Sequence, residues 1–96
     1  MKESEFQADL IRNIKKILPN CVVLKNDPTY IQGMPDILIL NGDRWAALEC
    51  KKSKTSSHQP NQDYYIDLLN RMSYASFIFP ENKEIVLHEL QQTLGA

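Results

Sequence analysis

The sequence predicts an α/β domain, a central mixed sheet flanked by helices in the order α-β-β-β-α-β-α. Three observations predict it. Two stretches, residues 3–18 and 60–72, repeat apolar side chains at helical spacing. Between them, "PDILIL" and "RWAALECK" enclose Asn41-Gly42-Asp43, a short-range hairpin signal. A third strand-like run, "YASFIF", follows the second helix, so a helical crossover returns the chain to the same sheet. Ninety-six residues suffice for one domain with a single core, spanning 1–96.

Taken in order, residues 3–18 carry Phe6, Leu10, Ile11, Ile14, Ile17 and Leu18 on one face of a helix. Ser4 and Gln7 have the spacing of a capping box, and Pro19-Asn20 ends the helix. "CVVLK", 21–25, is a short β-branched strand, followed by the polar loop "NDPTYIQGM". After the hairpin, "KSKTSSHQPN" is expected to be a mobile loop rich in Ser and Lys. Pro60 and Asn61 open a helix through Tyr65, Leu68, Leu69 and Met72. Pro80-Glu81-Asn82 breaks the chain before a last helix with Ile85, Leu87, Leu90 and Leu94.

Composition is that of a soluble globular chain, 43% hydrophobic and 24% charged, with no apolar run long enough to cross a membrane. The first residues lack a secretory signature, which points to the cytoplasm. In that compartment Cys21 and Cys50 are expected to stay reduced. The two cysteines lie 29 residues apart and the two histidines 30, spacings that do not suit zinc. Net charge is −1, yet residues 44–58 hold Arg44, Lys51, Lys52 and Lys54 against Glu49 alone. Such a stripe is either a solvated charge run or a local phosphate-binding surface.

What decides between these is the neighbourhood of Asp36, Glu49 and Lys51, three charges set in apolar strands. Side chains alternate across a strand, so Glu49 and Lys51 share a face. A turn centred on Asn41-Gly42 would pair Leu40 with Asp43 and Asp36 with Ala47, placing Asp36 on that face and diagonal to Glu49. Two carboxylates and an ammonium in such a setting need partners. One solution is a plain Asp/Glu–Lys ion pair at a strand end. The other is a Mg²⁺ site, because Mg²⁺ takes one or two carboxylates plus water and substrate phosphate. A lysine two residues beyond the Glu would then stabilise developing charge.

"G-M-P-D" followed by "L-E-C-K" resembles the PD-(D/E)xK nuclease motif, and more closely the stand-alone viral type called VRR-NUC. The likeness extends to a Glu and a Gln on the first helix, to Gly33, and to "P-N-Q" at the start of the second. It implies a restriction-endonuclease-like core and a metal-dependent DNA endonuclease. Asp36 and Glu49 resemble the metal-binding carboxylates, with the Cys50 backbone carbonyl as a third ligand, and Lys51 resembles the catalytic lysine. The cofactor implied is Mg²⁺, with Mn²⁺ able to substitute.

Glu3, Glu5 and Asp9 compete for the helix carboxylate. Glu3 and Gln7 fall within the apolar arc of the helical wheel, whereas Glu5 and Asp9 fall outside it. Glu3 and Gln7 are therefore assigned to the site, with Glu5 in reserve. Lys52, Lys54 and His58 are assigned to DNA phosphates, and Gln62 to active-site support or a phosphate contact. Tyr64, Tyr65 and Tyr74 are either base-stacking or packing residues, and His88 a surface residue. Stand-alone relatives of this type act as homodimers on four-way junctions. The resemblance thus implies a phage or mobile-element Holliday-junction nuclease acting on branched duplex DNA. Alternatives are a flap or fork nuclease, a nickase, or a non-catalytic DNA-binding subunit.

Overall fold

The computed structural model describes residues 2–95. The elements are α1 (Glu3–Ile17), β1 (Val22–Lys25), β2 (Ile37–Asn41), β3 (Arg44–Cys50), α2 (Pro60–Met72), β4 (Tyr74–Ile78) and α3 (Lys83–Leu94). The strands form one sheet in the order β1-β2-β3-β4, antiparallel across β1, β2 and β3 and parallel between β3 and β4. A parallel partner requires a crossover, and α2 supplies it. The expected α/β architecture is the one found. No helix among the described residues is long and apolar enough to cross a membrane.

Strand alternation divides the sheet into two unlike faces. On one, Ile37, Ile39, Ala46, Leu48, Cys50 and Ile78 pack against Phe6, Leu10 and Ile14 of α1 and Val86, Leu87, Leu90 and Leu94 of α3. On the other lie Leu38, Leu40, Trp45, Ala47 and Ala75, where α2 packs across β3 and β4. No residue of α2 is fully buried. The β1–β2 half of this face stays open, leaving Val22, Leu24, Leu40 and Met72 exposed.

Several local expectations need correction. The hairpin turn is centred on Gly42-Asp43, with Asn41 paired to Arg44 and Leu40 to Trp45. Within the turn only Gly42 takes a positive φ, +67°, which suits a turn with glycine at its first central position. Asn41 stays in the strand, where its side-chain amide donates to the Leu94 carbonyl at 2.7 Å. The shift moves every partner by two residues, so each side chain keeps its face. The Ser4–Gln7 capping box does not form; Lys2 is the N-cap, without a side-chain cap. On α3, Ile85 is exposed and Val86 is buried, because the inward phase runs 86, 87, 90, 94. The loop after β3 is tied down: the Ser53 N–H donates to Ser56 Oγ at 3.0 Å, and the Lys54 N–H reaches Glu81.

Candidate active site

The last pair of the β2–β3 ladder is Ile37 with Leu48, which sets Asp36 across from Glu49 rather than diagonal to it. Each carboxylate accepts a backbone N–H from the opposite strand. The Asp36 N–H donates to Glu49 Oε1 at 3.2 Å, and the Cys50 N–H donates to Asp36 Oδ1 at 3.1 Å. These groups lie at the end of the ladder, so the carboxylates satisfy them and are fixed in return.

Both helix layers reach this point. From α1, Gln7 Nε2 donates to Asp36 Oδ2 at 3.1 Å. From α2, Gln62 Nε2 donates to Glu49 Oε2 at 3.2 Å. The other end of the same amide, Oε1, accepts from Lys51 Nζ at 2.8 Å and from the Gln59 N–H at 3.0 Å. Lys51 Nζ also donates to the Ser57 carbonyl at 3.1 Å. Gln62 therefore bridges the glutamate and the lysine while closing the first turn of α2. Pro60 opens that helix and fixes its start.

The plain ion pair is not what forms. Lys51 is held by neutral acceptors, and no ion pair among the described residues joins it to Asp36 or Glu49. Glu49 and Lys51 are each only 8% exposed. Burial first, and the Asp36 carboxyl beside it second, push Glu49 up to about 8, outweighing the opposing pull of Lys51. A buried glutamate and a half-buried aspartate, neither ion-paired with a cation of the described residues, form a site that favours an added positive charge. Their all-oxygen donor set fits a hard divalent cation such as Mg²⁺, for which two carboxylates are enough when water and phosphate complete the shell. Among the described residues, no cluster of three or more His, Cys, Asp or Glu is placed to hold a metal.

Asp36, Glu49, Lys51, Gln7 and Gln62 are thus brought into one network. Glu3 sits exposed on the first turn of α1 and outside it, although its charge contributes, after burial, Asp36 and Glu49, to raising the Cys50 thiol above its ordinary pKa. Glu5 is exposed. Asp9 is engaged elsewhere, with Lys83 at 3.0 Å, and that ammonium holds its pKa below the ordinary value. Lys52 and Lys54 are exposed just beyond β3. His58 is not free in the same way: its ring stacks on Phe77 at 3.9 Å, and Nδ1 lies 3.0 Å from Asp63 Oδ1. Tyr74 packs against the core and donates to Glu89, whereas Tyr64 is exposed. His88 is exposed on α3.

Two partners escaped the sequence reading, the Ser57 carbonyl on Lys51 and the Cys50 N–H on Asp36. Both are main-chain groups, and no residue type announces them. Gly33 left a clearer trace. Its φ is +91°, and a Cβ there would lie 2.7 Å from the Asn61 carbonyl carbon, so the loop before Asp36 rests directly on the start of α2.

No family model and no curated protein matches the chain by sequence. Solved structures do match in fold. A VRR_NUC domain protein superposes with a TM-score of 0.70 at 21% identity, covering 99% of this chain and 91% of its own. Archaeoglobus fulgidus Hjc, a Holliday junction resolvase from an archaeal hyperthermophile, gives a TM-score of 0.55 at 19% identity, covering 79% of this chain and 67% of its own. The restriction-endonuclease-like fold of these two structures is the fold of this chain.

Proposed function

We propose that this chain is a metal-dependent endonuclease that hydrolyses phosphodiester bonds in branched DNA, acting as a homodimer on four-way junctions. The observation that carries this reading is the continuous network Gln7–Asp36–Glu49–Gln62–Lys51 at the strand ends of a nuclease fold. Asp36 and Glu49 would hold Mg²⁺ or Mn²⁺, with the Cys50 carbonyl as a further donor; Glu3, exposed on the first turn of α1, is not among the ligands. The bound ion would acidify a water and offset charge on a phosphoryl oxygen.

The chain's own residues do the rest. Lys51 has three N–H donors and spends two on Gln62 and Ser57, leaving one for the attacked phosphate or the water. Gln62 sets the spacing between that ammonium and Glu49, and Gln7 fixes Asp36; both are positioning residues. Lys52 and Lys54 would hold flanking phosphates without reading sequence. The open apolar strip of Val22, Leu24, Leu40 and Met72 supports a second copy as partner, since an isologous contact there buries no charge.

The test is cleavage of labelled four-way junction, flap, duplex and single-stranded DNA with Mg²⁺, alongside Glu49→Ala. The expected result is junction cutting that the variant loses. Equal cutting by the variant would refute the site. Cutting of flaps alone would transfer the same chemistry to a flap nuclease.

A further inference from the structure

Beside the carboxylates, Pro28, Gln32, Gly33, Gln59, Asn61 and Gln62 line a cavity of about 300 Å³. It lies between the loop preceding β2 and the first turn of α2. Four of these six residues are carboxamides, and none is ionisable. Such a lining suits neither a metal nor a phosphate. A carboxamide presents a donor and an acceptor side by side, the pattern that matches the edge of a nucleobase.

The cavity is built rather than incidental. Asn26 Nδ2 donates to the Pro35 carbonyl at 2.6 Å, and the Asp27 carboxylate accepts from the N–H and hydroxyl of Thr29, so both ends of the loop are pinned. Gly33, without a side chain, lets the loop sit against Asn61. Gln62 is committed to Glu49, Lys51 and the Gln59 N–H. The side chains of Gln32 and Asn61 make no hydrogen bond to another described residue and stay available. One large aromatic, Tyr30, stands 84% exposed on the same loop, between the lining residues Pro28 and Gln32. An exposed aromatic ring offers a face on which a nucleobase can stack.

We infer that this carboxamide cavity receives one unpaired nucleobase of the cleaved strand, with Tyr30 stacking on it. The proposal rests on the nuclease reading and deepens it. Gln62 is a wall of the cavity and also a ligand of Glu49, so a base held here puts its own phosphate one side chain from the carboxylates. A volume of about 300 Å³ has room for a single base. Selectivity for branched DNA would then come from reading a base that has left its stack, beyond the phosphate contacts of the lysines.

The test is equilibrium binding, with Ca²⁺ in place of Mg²⁺, to a duplex carrying a one-nucleotide bulge, the same duplex with an abasic bulge, and the perfect duplex. The proteins are the full chain, Gln32→Ala and Tyr30→Ala, whose exposed side chains leave folding intact. The bulged base should improve wild-type binding about tenfold or more over the other two duplexes. Both variants should lose that preference and keep their affinity for perfect duplex. A preference retained by both variants, or equal binding of base and abasic bulges, overturns the cavity assignment while leaving the nuclease reading in place. Absence of any DNA binding or cutting by the wild-type chain overturns both.

Discussion

On the side of the sheet covered by α1 and α3, the inward residues of β2 and β3 are Ile37, Ile39, Ala46, Leu48 and Cys50, all sealed from solvent. On the side covered by α2, the same strands carry Trp45, Ala47, Glu49 and Lys51, and they leave Leu40 to water. The first face gains hydrophobic burial without any electrostatic cost. The second holds two carboxyl groups side by side, with Glu49 pushed up to about 8, and a lysine bonded to neutral acceptors. The sealed face therefore stabilises the strands well enough to hold buried polar groups on the other. Stability and chemistry occupy opposite sides of the same residues.

Substitutions can break that contrast, the largest effect coming from the sealed face. Leu48→Ala should lower unfolding free energy by about 2–5 kcal/mol, read from urea titration, because neighbours on α1 and α3 cannot collapse into the space. Lys51→Ala should leave the core intact yet lower single-turnover DNA cleavage by roughly 10²–10³-fold, the usual loss for a pre-aimed charge-stabilising donor. Gly33→Ala should cost about 1–3 kcal/mol through its strained φ and should weaken cleavage by pushing Asn61 and the start of α2 away.

The pH dependence distinguishes the faces more finely. Glu49 sits near 8 in the fold against 4.5 for an ordinary glutamate, so between those values the folded, metal-free chain keeps a proton that the unfolded chain releases. The associated stability is fully present below about 4.5 and is lost as pH rises through about 8. Glu49→Gln should flatten this slope in urea titrations repeated across that range, and Leu48→Ala should not. The smallest stability effect belongs to the open apolar strip. Leu40→Glu should change monomer stability by no more than about 0.5 kcal/mol while shifting a dimer to monomer in sedimentation.

Much of this was legible in the residues. Helical spacing located α1 and α2, and Asn41-Gly42-Asp43 located the hairpin, because those signals are local. The grouping of Asp36, Glu49 and Lys51 followed from strand parity, which survived a wrong turn centre because the error was an even number of residues. The helical wheel turned both Gln7 and Glu3 toward the site, and only Gln7 reaches it, on Asp36, while Glu3 stays exposed; the Ser4–Gln7 spacing also spelled a cap that never formed. The turn itself could not be fixed locally, since Asn41 is drawn into the strand by the C-terminus of α3, 53 residues away in sequence. Lys51 bonding to neutral acceptors was invisible for a similar reason. Charge signs alone favour an ion pair, and only the fold places Gln62 and Ser57 in between.

The central claim is that Asp36 and Glu49 jointly hold a divalent cation. Its most direct measurement is calorimetric titration of Mn²⁺ into the wild-type chain and Asp36→Asn, repeated at pH 6 and pH 8. Saturable binding is expected for the wild type, weaker at the lower pH because the proton on Glu49 must leave, and none for the variant. Equal binding by the two proteins would contradict it.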